Sequence, residues 1–255
     1  MKDKDTIILE SLYGDIGKKT NDETYINLIK AQNYQEAQKM IDNDLIKMNR
    51  KIFNSIDVRP ENTQIATTIH KRLLSSGAIA DEFKDGRGLV YGDGRGAASA
   101  HLGAHSYEPF PPKNFKPTFA GDRSGGKGTN IDNKYDIILN TFVLNVVDLD
   151  TREFIVKDIA NLLNVNGKAV IVTRGKDVLN SKPYQVFGPM EVLTKKVGNY
   201  TYQKGYTQDE LVSYLKYTLG SSFDVHPIKG GGSGDVRAVF VKNSDVQLIN
   251  PIPTG

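Results

Sequence analysis

The 255-residue chain contains no cysteine, which excludes disulfides, thiolate metal sites and a cysteine nucleophile. That composition suits a cytoplasmic protein, the expected location. Its four histidines, His70, His101, His105 and His226, fall on separate predicted elements without ligand spacing, so no metal site is expected. Ser75, Ser99 and Ser124 lack the setting of a nucleophile, which leaves a hydrolase reading unsupported. There is no run of about 18 apolar residues to span a bilayer, and the stretch Met1-Lys2-Asp3-Lys4-Asp5 has no apolar signal-peptide core. Neither a membrane-inserted nor a secreted protein is expected. Charge of one sign is also scarce: the formal balance is +3 and the basic residues are dispersed, which permits nucleic-acid binding without arguing for it. No internal repeat or low-complexity tract appears.

What is present is enough apolar sequence, 38%, for one α/β domain with an appendage. Residues 1–20 are polar. From Asp22 to Met48 the apolar residues Ile26, Ile29, Ala37, Met40, Ile41 and Leu45 recur at three- and four-residue spacing, which predicts two amphipathic helices broken near Asn33. Arg59-Pro60 restricts the chain and sets a boundary. The expected organisation is an N-terminal helical extension over 1–60, a main domain over 61–245 and a tail over 246–255.

In the main domain a helix is predicted from Thr63 to Ser75. Strands follow at Leu89–Tyr91, up to Glu108, at Tyr135–Asn140 and at Lys168–Thr173. One helix, capped by Asp150 or Thr151, runs to Leu163 and stops at Asn166-Gly167; another, capped by Thr207, runs to Leu219. Phe223–Ile228 and Val236–Val241 read as an antiparallel pair. Alternating strands and helices give a mostly parallel sheet covered on both faces, with ligands at the carboxyl ends of the strands.

The chain is organised around Gly88 to Glu108. A short apolar strand meets Gly92, Gly94 and Gly96, a small-residue segment begins a helix, and a second strand ends in Glu108. Glycines there permit positive φ and close approach of a ligand, and an acid at the tip of the next strand can accept two ribose hydroxyls. A nucleoside-containing cofactor is the first expectation. The dinucleotide fingerprint needs its third glycine one residue later, where Ala97 stands. The spacing therefore leans toward S-adenosylmethionine.

Taken together, Gly88–Glu108, Tyr135–Val147 and Asn166–Arg174 resemble class I S-adenosylmethionine-dependent methyltransferases. Val143-Leu144-Asn145-Val146-Val147 is similar to a sub-group encoded in phages and mobile elements. The resemblance spans about residues 86 to 243 and implies a Rossmann-like, seven-stranded, mostly parallel sheet with an antiparallel last hairpin. It puts the cofactor against Tyr91, Gly92, Asp93, Gly94 and Gly96, its ribose at Glu108, its adenine between Pro109 and Phe110 with Asp122 accepting from the amino group, and its methyl near Asn140 and Thr141. Many members carry an acid where this chain has Val90, which leaves either Asp93 as the substitute or a weak affinity.

The expected catalytic residues are Asn140, Thr141 and, toward an anionic substrate, Arg174. Alignment of a nucleophile and a route for its proton are what methyl transfer requires. Asn140-Thr141-Phe142-Val143 keeps the Asn of amino-directed nucleic-acid methyltransferases but lacks their prolines and final aromatic. The acceptor is thus open between nucleic acid and small molecule. Of Tyr202 and Tyr206, one is expected to pack and the other to touch substrate, and Asn145 is expected to support its loop. Two other classes remain: a non-catalytic binding module, and a nicotinamide-dependent oxidoreductase.

Overall fold

A computed structural model describes residues 67–249 except 80–82, 84–86, 125–127, 148, 181–184, 189, 197–198 and 230–233. The expected N-terminal extension and its two helices lie outside the described residues, as do 250–255 of the expected tail.

The chain runs α1 (Thr67–Ser75), β1 (Gly88–Tyr91), α2 (Ala97–Leu102), β2 (His105–Glu108), β3 (Phe119–Ala120), β4 (Tyr135–Thr141), α3 (Leu149–Leu162) and β5 (Leu163–Arg174). It continues through β6 (Gln185–Gly188), β7 (Glu191–Lys196), β8 (Asn199–Lys204), α4 (Gln208–Leu219), β9 (Phe223–Pro227) and β10 (Asp235–Lys242). Seven strands form one sheet in the order β3-β2-β1-β4-β5-β10-β9. β3, β2, β1, β4 and β5 pair in parallel, whereas β10 is antiparallel to both β5 and β9. This is the expected Rossmann-like sheet with a reversed last hairpin. The chain works outward from β1 to β3 and then returns to β4 on the other side of β1. The carboxyl ends of β1 and β4 therefore flank the switch point where such sheets bind ligands.

Strand residues alternate between two cores, as a doubly covered sheet demands. Leu89, Tyr91, Ile138, Ile171, Ala238 and Phe240 pack under α3 and α4. Val90, Ile137, Leu139, Val170 and Val172 pack under Leu73 of α1 and Ala98 and Leu102 of α2. α4 begins as predicted: the Thr207 hydroxyl accepts from the Glu210 N–H at 3.1 Å and Glu210 reaches back to the Thr207 N–H, a full capping box.

Three features depart from the sequence expectation. β5 begins at Leu163, directly after α3, rather than at Lys168; its pairing with β4 slips between Tyr135 and Ile137 to accommodate the extra residues around Asn166, whose φ is 65°. β3 is only two residues long and carries no periodic signal. Between β5 and α4 the chain builds a second, antiparallel sheet, β6-β7-β8, where no strands were expected. Among the described residues no helix is long and apolar enough to cross a membrane.

Candidate functional site

The turn after β1 explains its three glycines. Gly92, Gly94 and Gly96 have φ of 79°, 63° and 81°, the left-handed region that disfavours side chains. The Gly92 and Asp93 N–H groups both donate to the Tyr107 carbonyl, at 2.8 and 3.1 Å, which ties the turn to β2. A Cβ at Gly92 would stand 2.5 Å from Val143, and one at Gly96 would stand 2.2 Å from the Phe115 ring. Gly96 is also the residue that caps α2. The early third glycine is thus set by where α2 starts and by Phe115.

Two carboxylates meet this turn. Glu108, at the tip of β2, accepts from the Gly94 N–H at 2.6 Å with one oxygen and from the Phe110 N–H at 3.2 Å with the other. Burial pushes its pKa up, opposed by those two hydrogen bonds, and the nearby Asp93 charge adds to the rise. Asp93 accepts from the Ser99 N–H at 3.3 Å through Oδ1, while Oδ2 is buried without a partner. Burial raises its pKa too. Val90 lies in the α1–α2 core at 2% exposure, so no polar group stands at that position.

Across the switch point, Asn140 is fully buried at the end of β4, and its Nδ2 donates to the Tyr91 carbonyl at 2.9 Å. A carbonyl can only accept, so the amide nitrogen must face it, and Asn140 Oδ1 is left without a partner. Thr141 Oγ1 is likewise unpartnered. Phe142, next in line, has φ of 59°, a strained state for a bulky residue of the kind that gathers at functional sites. The four residues Tyr91, Asp93, Asn140 and Glu108 thus bring together what the sequence had separated.

The Tyr91 side chain is a correction. It was expected against the cofactor, but it turns into the α3 core, where its hydroxyl donates to Asp158 Oδ2 at 2.8 Å and its ring meets Tyr107 edge-on at 4.6 Å. Only its carbonyl belongs to the site. Asp158 also takes two hydrogen bonds from Arg123, each 2.8 Å, and burial beside this carboxylate drives the Tyr91 phenol well above its ordinary pKa. Sequence reasoning missed Asp158 and Arg123. The signal was an acid on the apolar side of the α3 periodicity.

On the acceptor side, Arg174 is paired rather than free: Nε donates to Asp177 Oδ2 at 2.7 Å and Nη2 joins the same oxygen. Tyr202 and Tyr206 are both buried, at 3% and 2% exposure, so neither is presented outward as one was expected to be. Asn145 supports its loop as expected, donating to Gln203 Oε1 at 3.0 Å while its carbonyl accepts from the Lys204 N–H at 2.8 Å. Arg152 of α3, also missed, is 3% exposed and donates to the Leu144 carbonyl at 2.9 Å and to the Tyr202 hydroxyl at 2.7 Å. The loop after β4 is therefore stitched to β8. Past Glu108, Pro109 is half-buried and Phe110 is 57% exposed. Asp122 Oδ1 accepts from the Ser124 N–H and hydroxyl at 2.9 and 2.6 Å. A surface hollow of about 430 Å³ beside Phe223 and His226 lies along β9, four strands from β1, and takes no part in this arrangement.

No protein-family model and no curated protein matches the sequence. Among solved structures, the chain is similar to the glycopeptide N-methyltransferase MtfA at 14% identity and a TM-score of 0.49, over 76% of this chain and 97% of that one. It is similar to an S-adenosylmethionine-dependent methyltransferase from Clostridium acetobutylicum ATCC 824 at 12% identity and 0.47, covering 79% and 99%. An amino pentose methyltransferase from Micromonospora echinaspora, solved with S-adenosylmethionine bound, is similar at 12% identity and 0.44, covering 72% and 94%.

Proposed function

We propose that this chain is an S-adenosylmethionine-dependent methyltransferase acting on a nucleic-acid or small-molecule acceptor. The observation that carries the reading is the meeting of Glu108 with the Gly94 N–H at the switch point of the sheet: an acid at the tip of β2 coupled to a left-handed glycine turn at the tip of β1. When bound, S-adenosylmethionine supplies an electrophilic methyl group.

The residues fit that group. Asp93 Oδ2, buried and unpartnered, is the acceptor for the cofactor's ammonium, which answers for Val90. Glu108 offers both oxygens to the ribose hydroxyls at the cost of its loop hydrogen bonds. Pro109 and Phe110 flank the adenine, and Asp122 keeps one oxygen for the amino group because Ser124 holds the other. Gly92, Gly94 and Gly96 let the cofactor approach the main chain. Asn140 Oδ1 and Thr141 Oγ1, with no partner of their own, accept hydrogen bonds from the acceptor group and so orient its reacting atom. Arg174 meets an anionic acceptor only by sharing its guanidinium with Asp177. The Val143 to Val147 segment supports the phage or mobile-element sub-group, and the absence of cysteine supports a cytoplasmic setting.

A non-catalytic cofactor-binding module is the second reading. It is favoured by the pairing of Arg174 and the burial of both Tyr202 and Tyr206, which withdraw the two expected acceptor contacts, that of Arg174 and that of one tyrosine. Calorimetry with S-adenosylmethionine, S-adenosylhomocysteine and NADH, followed by radiolabelled methyl transfer to DNA, RNA and a small-molecule extract, separates the readings. Binding of the first two with labelled product supports the enzyme, binding without product supports the module, and heat from NADH alone supports an oxidoreductase.

A further inference from the structure

β1, α3 and the segment after β3 meet at one carboxylate. Asp158 stands on α3 at 3% exposure and accepts from the Tyr91 hydroxyl and from Arg123 Nε and Nη2, all three at 2.8 Å. Arg123 is fixed at two further points: its backbone N–H donates to the Tyr107 hydroxyl at 3.3 Å, and its Nη1 donates to the Thr129 carbonyl at 2.9 Å. Tyr107 in turn donates to the Gly121 carbonyl at 3.1 Å. The Thr129 N–H and hydroxyl both close on the Ala120 carbonyl, at 3.0 and 2.7 Å. At Gly128 the main chain lies against the Arg123 stem, where a Cβ would stand 2.8 Å from Cγ. One guanidinium thus pins this segment from inside.

The anchorage fixes the residue before it. β3 runs parallel to β2 with Ala120 level with Glu108, about 4.8 Å away across the ladder, and Asp122 follows two residues later. One Asp122 oxygen is held by the Ser124 N–H and hydroxyl at 2.9 and 2.6 Å, while the main chain beside it is held by Arg123. Rotation of the carboxyl and placement of its backbone are therefore both set, and with them the position of the other oxygen. An ion pair as buried as Arg123 and Asp158, whose side chains are 15% and 5% exposed, adds little stability over apolar side chains of similar size. What its two parallel hydrogen bonds supply is direction.

We propose that Arg123, anchored on Asp158, is a positioning residue that sets the base specificity of the cofactor site, by holding Asp122 where its second oxygen accepts from an exocyclic amino group. This role rests on the methyltransferase reading, under which adenine lies at Asp122; neither Arg123 nor Asp158 touches the cofactor. Adenine presents an amino donor to that oxygen, whereas hypoxanthine presents a carbonyl that a carboxylate repels. A segment released from α3 would still cover the base but would no longer tell the two apart.

The test is calorimetry of the intact chain with S-adenosylhomocysteine and with S-inosylhomocysteine, which carries hypoxanthine in place of adenine. Wild-type protein should prefer the first by roughly tenfold or more, the range for a hydrogen bond to a charged group. Arg123→Met should collapse that preference by weakening S-adenosylhomocysteine alone. Arg123→Lys, which keeps the charge without the fork, should retain part of it. If Arg123→Met leaves Asp158 too poorly compensated to fold, the charge-neutral pair Arg123→Gln with Asp158→Asn should give the same collapse. An undiminished preference in the folded variants overturns the proposal. So does equal weakening of both ligands, because a merely structural clamp would act on both alike, and so does wild-type protein that binds the two equally. Wild-type protein that is folded by circular dichroism and binds neither ligand overturns the methyltransferase reading itself, and this role with it.

Discussion

Glu108 holds the glycine turn through Gly94, and under the proposed function it exchanges that bond for ribose hydroxyls. Glu108→Ala should weaken S-adenosylhomocysteine binding by about 1.5–3 kcal/mol, the range for hydrogen bonds to a charged group, with the circular dichroism spectrum retained. Unchanged affinity in calorimetry would remove Glu108 from the site. This residue was legible in the sequence because glycine spacing and strand length fix the acid at a strand tip. Tyr91 was not, because a two-residue strand period tells only that neighbours alternate between faces; it does not say that Asp158 waits under one of them.

His70 makes a second case at this scale. It is 2% exposed, and neither ring nitrogen has a partner. Burial, with the nearby His101 charge, lowers its pKa from 6.5 to about 4. The unfolded chain therefore binds the proton first. Stability from this group is full above pH 6.5, falls as pH drops from about 6.5 toward 4, and levels off below that. Denaturant midpoints measured across this window should decline for the wild type and decline less for His70→Leu; parallel curves for the two proteins would show that His70 does not contribute.

Among elements, the loop after β4 and the second sheet act as one unit. Arg152 bonds the Leu144 carbonyl and the Tyr202 hydroxyl from within the core, and β8 bonds Asn145 through Lys204 and Gln203. Arg152→Met removes two charge-assisted hydrogen bonds and leaves a buried carbonyl and hydroxyl behind, so it should cost about 3 kcal/mol of unfolding free energy. Arg152→Lys should recover part of that loss, and a melting temperature equal to wild type for the Met variant would contradict the coupling. The seven-stranded sheet and its helices could be read beforehand because their apolar periods are strong and Thr207 and Gly92 punctuate them. β6 to β8 escaped because they pair only with one another, outside the alternation of strands and helices that located β1, β2, β4 and β5. Tyr200-Thr201-Tyr202 was the strand signal, but it reads equally as a wall of aromatics when no pairing partner is in view. β3, at two residues, had no period to detect.

For the molecule as a whole, the switch point between β1 and β4 gathers four side chains with spare or exchangeable hydrogen-bonding capacity: Asp93, Glu108, Asn140 and Thr141. The opposite edge of the sheet, along β9, has none of that convergence. The most direct test is calorimetric titration of the intact chain with S-adenosylmethionine and S-adenosylhomocysteine. One-site binding of both, lost or sharply weakened in Asp93→Asn together with Glu108→Ala, is the predicted result; absence of heat with either ligand, from protein whose circular dichroism shows it folded, would contradict the central claim.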